Sequence, residues 1–312
     1  MTEEKQFNYD VIIIGAGPAG MTTALYASRA NLSVLMLDRG IYGGNLNNTA
    51  TIENYTGFPS VQGPDLAKQM YDGATQFGAK YAYGTVEKVE LDGNLKKITT
   101  DMGETYTAKA LVIASGSEQK KLGVAGEQEY GGKGVSYCAV CDGAFFKGKH
   151  LVVVGGGDSA VEEGMYLTQF ADKVSVLVRK DHLRAAAVAQ DKAKKNDKME
   201  FIFNTSVTAI EGDDQKVTKV KTHNNATGED GEMQADGVFI YVGNVPMTAP
   251  FADLGILDDQ GWVITDDHMA TKVPGIFAVG DVRETLLRQI ATAVGDGALA
   301  GQEVFKYFDN LK

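Results

Sequence analysis

Cys138 and Cys141 are the only two cysteines in the 312-residue chain, and they stand together in Cys138-Ala139-Val140-Cys141-Asp142. Two thiols at that spacing can make and break a disulfide with each other, and the chemistry they offer is thiol–disulfide exchange. As a purely structural cross-link the pair would close a very small ring, which removes little chain entropy compared with a bridge across a long loop. As half of a zinc site it would need ligands from the 4 scattered histidines. A redox-active pair is the stronger reading.

A dithiol cycles only if electrons reach it, and the surrounding sequence carries two patterns able to bind a dinucleotide. Residues 9–14 are largely β-branched and apolar, and they lead into Gly15-Ala16-Gly17-Pro18-Ala19-Gly20 and an expected helix over 21–29. In such a strand, turn and helix, the first glycine allows the tight turn and the second lets the backbone approach a pyrophosphate. The third lets the helix pack on the strand, with its N-terminus towards the phosphates. A second expected strand over 33–37 ends at Asp38, 23 positions after Gly15, where a carboxylate can accept hydrogen bonds from a ribose.

The arrangement then recurs. Residues 150–154 read as a strand, Gly155-Gly156-Gly157-Asp158-Ser159-Ala160 as the turn, 161–170 as the helix and 174–178 as the next strand. Where the first copy carries Asp38, the second carries Arg179 and Lys180, with Arg184 a turn later. An acid repels a ribose 2′-phosphate and a basic cluster pairs with it, which points to NADP. Two dinucleotides in one chain imply hydride transfer from nicotinamide to flavin. The Asp38 site is therefore expected to take FAD and the basic site NADPH.

A third segment, 275–281, reads as a strand ending at Gly280 and Asp281, followed by Arg288-Gln289-Ile290 and an expected helix over 291–307. An aspartate at such a strand end can bind a ribityl hydroxyl. The FAD domain is thus expected to be discontinuous, residues 1–117 and 246–312, with the NADPH domain, 118–245, inserted. The fold class is α/β, with two Rossmann-like domains of three-layer ββα form. The chain would cross between them at Ala114-Ser115-Gly116-Ser117 and Val242-Gly243-Asn244-Val245-Pro246, each containing a glycine able to absorb large rotations.

Composition agrees with a nucleotide enzyme. Hydrophobic residues make up 44% of the chain, enough for sizeable cores, and many of the 37 glycines fall in the nucleotide-binding turns. The net charge of -11 with dispersed basic residues argues against nucleic-acid binding. No apolar run approaches the roughly 18 residues of a membrane span, and the polar start is unlike a signal peptide. A cytoplasmic protein is expected, where an exposed CxxC would cycle.

The stretches GAGPAG at 15–20, CAVCDG at 138–143, GGGDSAVEE at 155–163 and GIFAVGDV at 275–282 occur in the order and spacing of one family. Along essentially its full length the chain resembles the low-molecular-weight thioredoxin reductases, in which the CxxC lies in the NADPH domain. The resemblance implies an NADPH-dependent homodimeric flavoenzyme that reduces thioredoxin. It implies that Cys141 faces the flavin, that Cys138 attacks the partner's disulfide and that Asp142 is the acid–base group.

Flavin contacts implied by the likeness fall on Gly15, Gly17, Pro18, Ala19, Gly20, Asp38, Arg39, Gly43, Gly44, Asn45, Leu46, Asn54, Val86, Ala114, Gly116, Gly280, Asp281, Arg288, Gln289 and Ile290. NADPH contacts fall on Gly155, Gly157, Asp158, Ser159, Ala160, Arg179, Lys180 and Arg184. Lys133 and the aromatic tip Phe145-Phe146 correspond to thioredoxin contacts, although core packing suits the two phenylalanines equally. No metal is implied. The chain departs from the family pattern at Asn45, usually glutamine, at Ala144, often aromatic, and at Val178-Arg179-Lys180, usually His-Arg-Arg.

Both nicotinamide and disulfide need the flavin, yet both belong to the inserted domain, so rotation of that domain on its two crossings is expected to alternate the half-reactions. Competing readings are a related flavoprotein that reduces another thiol protein, a dithiol oxidase, and a redox-responsive binding module without turnover. The intact Gly155–Ala160 turn and the intact Cys138, Cys141 and Asp142 weigh against the last two.

Overall fold

Val11, Ile12, Ile13 and Ile14 are all buried because the strand that carries them, Gln6–Ile14, lies inside a parallel sheet covered on both faces. The computed structural model in which this is seen describes residues 6–311, apart from 50 and 214. Gln6–Ile14 pairs in parallel with Val34–Asp38 on one side and Thr105–Ile113 on the other. Lys80–Tyr83 extends the sheet beyond Val34–Asp38, and Ile276–Ala278 pairs with Thr105–Ile113. An antiparallel hairpin, Val86–Asp92 and Leu95–Thr100, continues from Thr105–Ile113.

Alternation along each strand sends neighbours to opposite faces. Val11 and Ile13 join Met36, Val112 and Val279 in one core, with residues of helices Pro18–Arg29 and Ile290–Asp309. Ile12 and Ile14 join Leu35, Leu37, Ile113 and Phe251 in the other. The two helices pack closely because small residues line their contact: a Cβ at Gly297 would lie 2.4 Å from the Ala19 carbonyl oxygen.

Together, Met1–Glu118 and Val245–Lys312 make up one unit, and Gln119–Asn244 makes up the other. In the second unit, Val135–Ser136, Gly237–Ile240, His150–Val154, Lys173–Leu177 and Met199–Ile202 form a parallel sheet. Leu151 and Val153 pack with Val161 and Leu167 of helix Asp158–Leu167. Val152 and Val154 pack with Val207, Ile210, Val217 and Val220 of an antiparallel sheet formed by Thr205–Gly212, Val217–Asn224 and Asp230–Gln234. Helices, parallel sheet and antiparallel sheet are the three layers expected of a Rossmann-like ββα domain. The two chain crossings, Ser117–Gln119 and Asn244–Pro246, form a two-stranded ribbon.

Candidate active site

Cys138 and Cys141 are joined as a disulfide in the second unit. Cys138 caps a single turn, Ala139–Asp142, and its Sγ accepts the Cys141 N–H at 3.1 Å. The helix that Cys138 opens is only one turn long, and the electrostatic help it gives a sulfur comes from that one amide rather than from a long dipole. Cys141 is exposed and Cys138 half-buried.

Three neighbours fix this turn. Ser136, buried at the end of its strand, accepts the Cys138 N–H at 3.0 Å and donates to the Asp142 carboxylate at 2.6 Å. The Tyr241 hydroxyl accepts the Ala139 N–H at 3.1 Å, and burial, with the nearby Glu163 carboxyl, pushes that phenol well above its ordinary pKa. Tyr137, next to Cys138, donates to Glu127, which also accepts the N–H groups of Leu122 and Gly123. Burial works to raise the Glu127 pKa, but these hydrogen bonds prevail and hold it low.

Of the two phenylalanines beyond the thiols, Phe145 is 79% exposed, whereas Phe146 packs edge-on against Phe239. Lys133 is exposed.

In the first unit, Gly15 adopts φ +108°, and a Cβ there would lie 2.2 Å from the Ala114 carbonyl oxygen. Gly17 caps helix Pro18–Arg29 with no side-chain bond and has nothing within 4 Å of a Cβ position. Open space over free helix N–H groups is what a pyrophosphate requires. Gly44 faces this gap, its Cβ position 3.5 Å from the Gly17 Cα, and the Gly43 N–H bonds to the Ala16 carbonyl at 2.7 Å. Asn45 is exposed and Leu46 buried in the turn beyond them.

Asp38 does more than the sequence suggested. Its carboxylate accepts the N–H of Ala16 at 2.6 Å and of Gly40 at 2.9 Å, bracing the glycine turn while leaving lone pairs for hydroxyl donors. Arg39 pairs with Glu118 at 2.5 Å, and the Val86 side chain is buried in the core, where only its backbone can meet a ligand.

The segment after Ile276–Ala278 completes this site. The Asp281 carboxyl is half-buried and makes no hydrogen bond with the described residues; burial raises its pKa, with Arg288 opposing. An unpartnered acceptor of this kind fits a ligand hydroxyl. Asp296 accepts the Gly280 N–H at 3.0 Å and pairs with Arg283 at 2.7 Å, which fixes the loop. Arg288 lies 3.7 Å over the Trp262 ring and donates to the carbonyls of Asp281 and Arg283. Asn54 donates to the Gln289 side chain at 3.0 Å, just before Ile290 opens the long helix. Open turn, unpartnered Asp281 and poised arginine all fit a flavin dinucleotide.

The second turn repeats the first. Gly155 has a Cβ position 2.3 Å from the Tyr241 carbonyl oxygen, and Gly157, capping helix Asp158–Leu167, has nothing within 4 Å. The Asp158 carboxylate accepts the Ala186 N–H at 2.7 Å, while the Arg184 N–H bonds to the Gly156 carbonyl at 2.7 Å. Arg184 is thereby tied to the turn itself. Ser159 is exposed and Ala160 buried beneath it. Arg179, Lys180 and Arg184 are exposed and form no ion pair among the described residues, which leaves three cations for a phosphate.

Sequence reasoning passed over Ser136, Tyr241, Glu127 and Trp262. Each has its role only through a partner that folding brings near. A serine two residues before a CxxC was the one local signal available.

The model of the pyridine nucleotide-disulphide oxidoreductase family matches residues 9–297. The thioredoxin reductase of Listeria innocua is 59% identical over 304 residues, 97% of this chain and 95% of that protein. The thioredoxin reductase of Lactococcus lactis, solved in the FR conformation, superposes with a TM-score of 0.95 at 50% identity, over 97% of this chain and 99% of that one. That of Streptococcus pyogenes, at 53% identity and with the same coverage of 97% and 99%, superposes at 0.65.

Proposed function

Because the chain belongs to the pyridine nucleotide-disulphide oxidoreductase family, as a thioredoxin reductase, we propose a division of labour between its parts. Residues 1–117 and 246–312 bind FAD, residues 118–245 bind NADPH and carry the exchanging disulfide, and the disulfide of thioredoxin is the final acceptor. FAD held at the Gly15–Gly20 turn, Asp38 and Asp281 would supply what side chains lack, two-electron chemistry between NADPH and the Cys138–Cys141 disulfide.

The rest is done by this chain's residues. The Cys138 thiolate, stabilised by the Cys141 N–H that its sulfur accepts, attacks one sulfur of the thioredoxin disulfide. A Cys138–thioredoxin bond forms, the thioredoxin disulfide breaks, and Asp142 gives the leaving sulfur its proton. Cys141 then attacks the Cys138 sulfur, restoring the enzyme disulfide, and its thiol proton passes to the second thioredoxin sulfur as that leaves. Two electrons pass from dithiol to disulfide, and Asp142 regains a proton from solvent. The observation that carries this reading is the disulfide-linked pair with Asp142 held beside it.

NADPH is preferred to NADH through Arg179, Lys180 and Arg184, and Phe145 with Lys133 meets thioredoxin. The NADPH-binding part rotates on its crossings between half-reactions. Gly116 and Gly243, at φ +71° and +116° with nothing within 4 Å of a Cβ position, support that freedom. The protein works as a cytoplasmic homodimer, with Tyr26, Leu299 and Phe305 as partly exposed apolar residues on the paired helices; light scattering of the holoenzyme tests the stoichiometry.

Anaerobic addition of NADPH should bleach the flavin, and oxidised thioredoxin should restore its colour with the appearance of two thiols. Flavin that fails to bleach overturns the enzyme reading. Bleached flavin unaffected by thioredoxin overturns the partner.

A further inference from the structure

One hydroxyl holds both ends of the redox turn. Ser136 is 5% exposed, and its Oγ accepts the Cys138 N–H at 3.0 Å. Two acceptors compete for its single hydrogen, the Asp142 carboxylate at 2.6 Å and the Cys138 carbonyl at 3.3 Å. The shorter bond, to Asp142, prevails. That bond is the only hydrogen bond the Asp142 carboxylate makes among the described residues.

We propose that Ser136 is a positioning residue for thiol–disulfide exchange, aiming the Asp142 carboxylate and tying it to the backbone of the attacking cysteine. The inference rests on the proposed roles of Cys138 as nucleophile and Asp142 as proton donor. Without the hydroxyl, the Asp142 side chain is free to rotate towards water, and the Cys138 amide loses its acceptor. With it, the group that delivers the proton and the sulfur that makes the new bond keep one spacing as the disulfide opens and closes. Fixing a reacting group in this way is worth far more to a rate than to stability, because a small misplacement of a proton donor is costly.

Structure and placement separate this role from a merely structural one. Strand Val135–Ser136 is held by its parallel pairing with Gly237–Ile240, in which Ser136 is opposite Phe239. The Ser136 hydroxyl takes no part in that pairing. Among the described residues, all its side-chain bonds are with Cys138 and Asp142.

The test is a double-mutant cycle in the holoenzyme. Dithiothreitol-reduced protein is mixed with oxidised glutathione, an aliphatic disulfide whose leaving thiol needs a proton, and the loss of enzyme dithiol is followed by rapid alkylation and mass measurement. S136A should slow this single exchange by about tenfold, with NADPH bleaching of the flavin at the native rate. S136A/D142N should be no slower than D142N, because a residue acting through Asp142 has nothing left to position. S136T, which keeps the hydroxyl, should be faster than the isosteric S136V by a similar factor, and that pair carries the test should S136A fold poorly.

Equal rates for S136T and S136V, or losses that multiply in S136A/D142N, overturn the proposal. Because glutathione replaces the protein acceptor, these outcomes are independent of whether thioredoxin is the partner. Failure of the thioredoxin assay on the unaltered enzyme would count against the functional reading and not against Ser136.

Discussion

Glu163 is half-buried on helix Asp158–Leu167, and burial first, then the charge of Glu162, pushes its pKa up to about 7. The folded protein therefore holds this proton more tightly than the unfolded chain, so the stability gained from the neutral acid is complete below about pH 4.5 and is lost as pH rises through 7. The loss is at most on the order of 3 kcal/mol, reduced by whatever water reaches the carboxyl. E163Q should remove that slope, matching the unaltered protein near pH 5 and melting higher at pH 8; parallel melting curves across the range would refute it. At the thiols, C138S should keep flavin reduction by NADPH and lose thioredoxin reduction, whereas D142N should slow exchange on the order of a hundredfold. Full thioredoxin turnover in C138S would overturn the dithiol mechanism itself, because either assignment of the two sulfurs needs both. Cys138 and Cys141 were legible from sequence because no other cysteine competes with them. Ser136 was not, since a buried serine gains its meaning from the carboxylate it meets, and no spacing rule encodes that meeting.

The two strand–turn–helix elements differ chiefly in the residues at and beyond the end of their second strand. In one, Asp38 braces its glycine turn through the N–H of Ala16. In the other, Arg184 is bound to the turn through its own N–H, leaving its guanidinium for the ligand. R179A/R184A should raise the KM for NADPH by roughly tenfold to a hundredfold, leave that for NADH nearly unchanged and weaken the salt dependence of binding. Equal losses with both nucleotides would show that the pair shapes the loop and does not read the phosphate. Strand cores and glycine turns were readable because the apolar run and the turn chemistry are local. The extent of the second helix was not. It runs Asp158–Leu167 rather than 161–170, starting on the turn itself and ending in tight turns over Thr168 to Phe170, where Phe170 packs edge-on against Tyr166.

For the whole molecule, a chain that leaves one unit and later returns to it carries two crossings, here Ser117–Gln119 and Asn244–Pro246 paired as a ribbon. If turnover needs rotation about them, a covalent cross-link fixing the units should abolish steady-state thioredoxin reduction while preserving one half-reaction. A locked enzyme running at the native rate would end the rotation model. The recurrence of one pattern made two domains readable from sequence, whereas the ribbon was not, because its strands lie far apart along the chain and are too short to show a period. Trp262 was equally hidden, yet it is the single tryptophan of the 312 residues and lies against Arg288 in the Met1–Glu118, Val245–Lys312 unit. All indole fluorescence of the protein thus originates in one unit, beside one candidate loop. Its emission becomes a built-in optical gauge of cofactor loading there, readable in variants that have lost every trace of turnover.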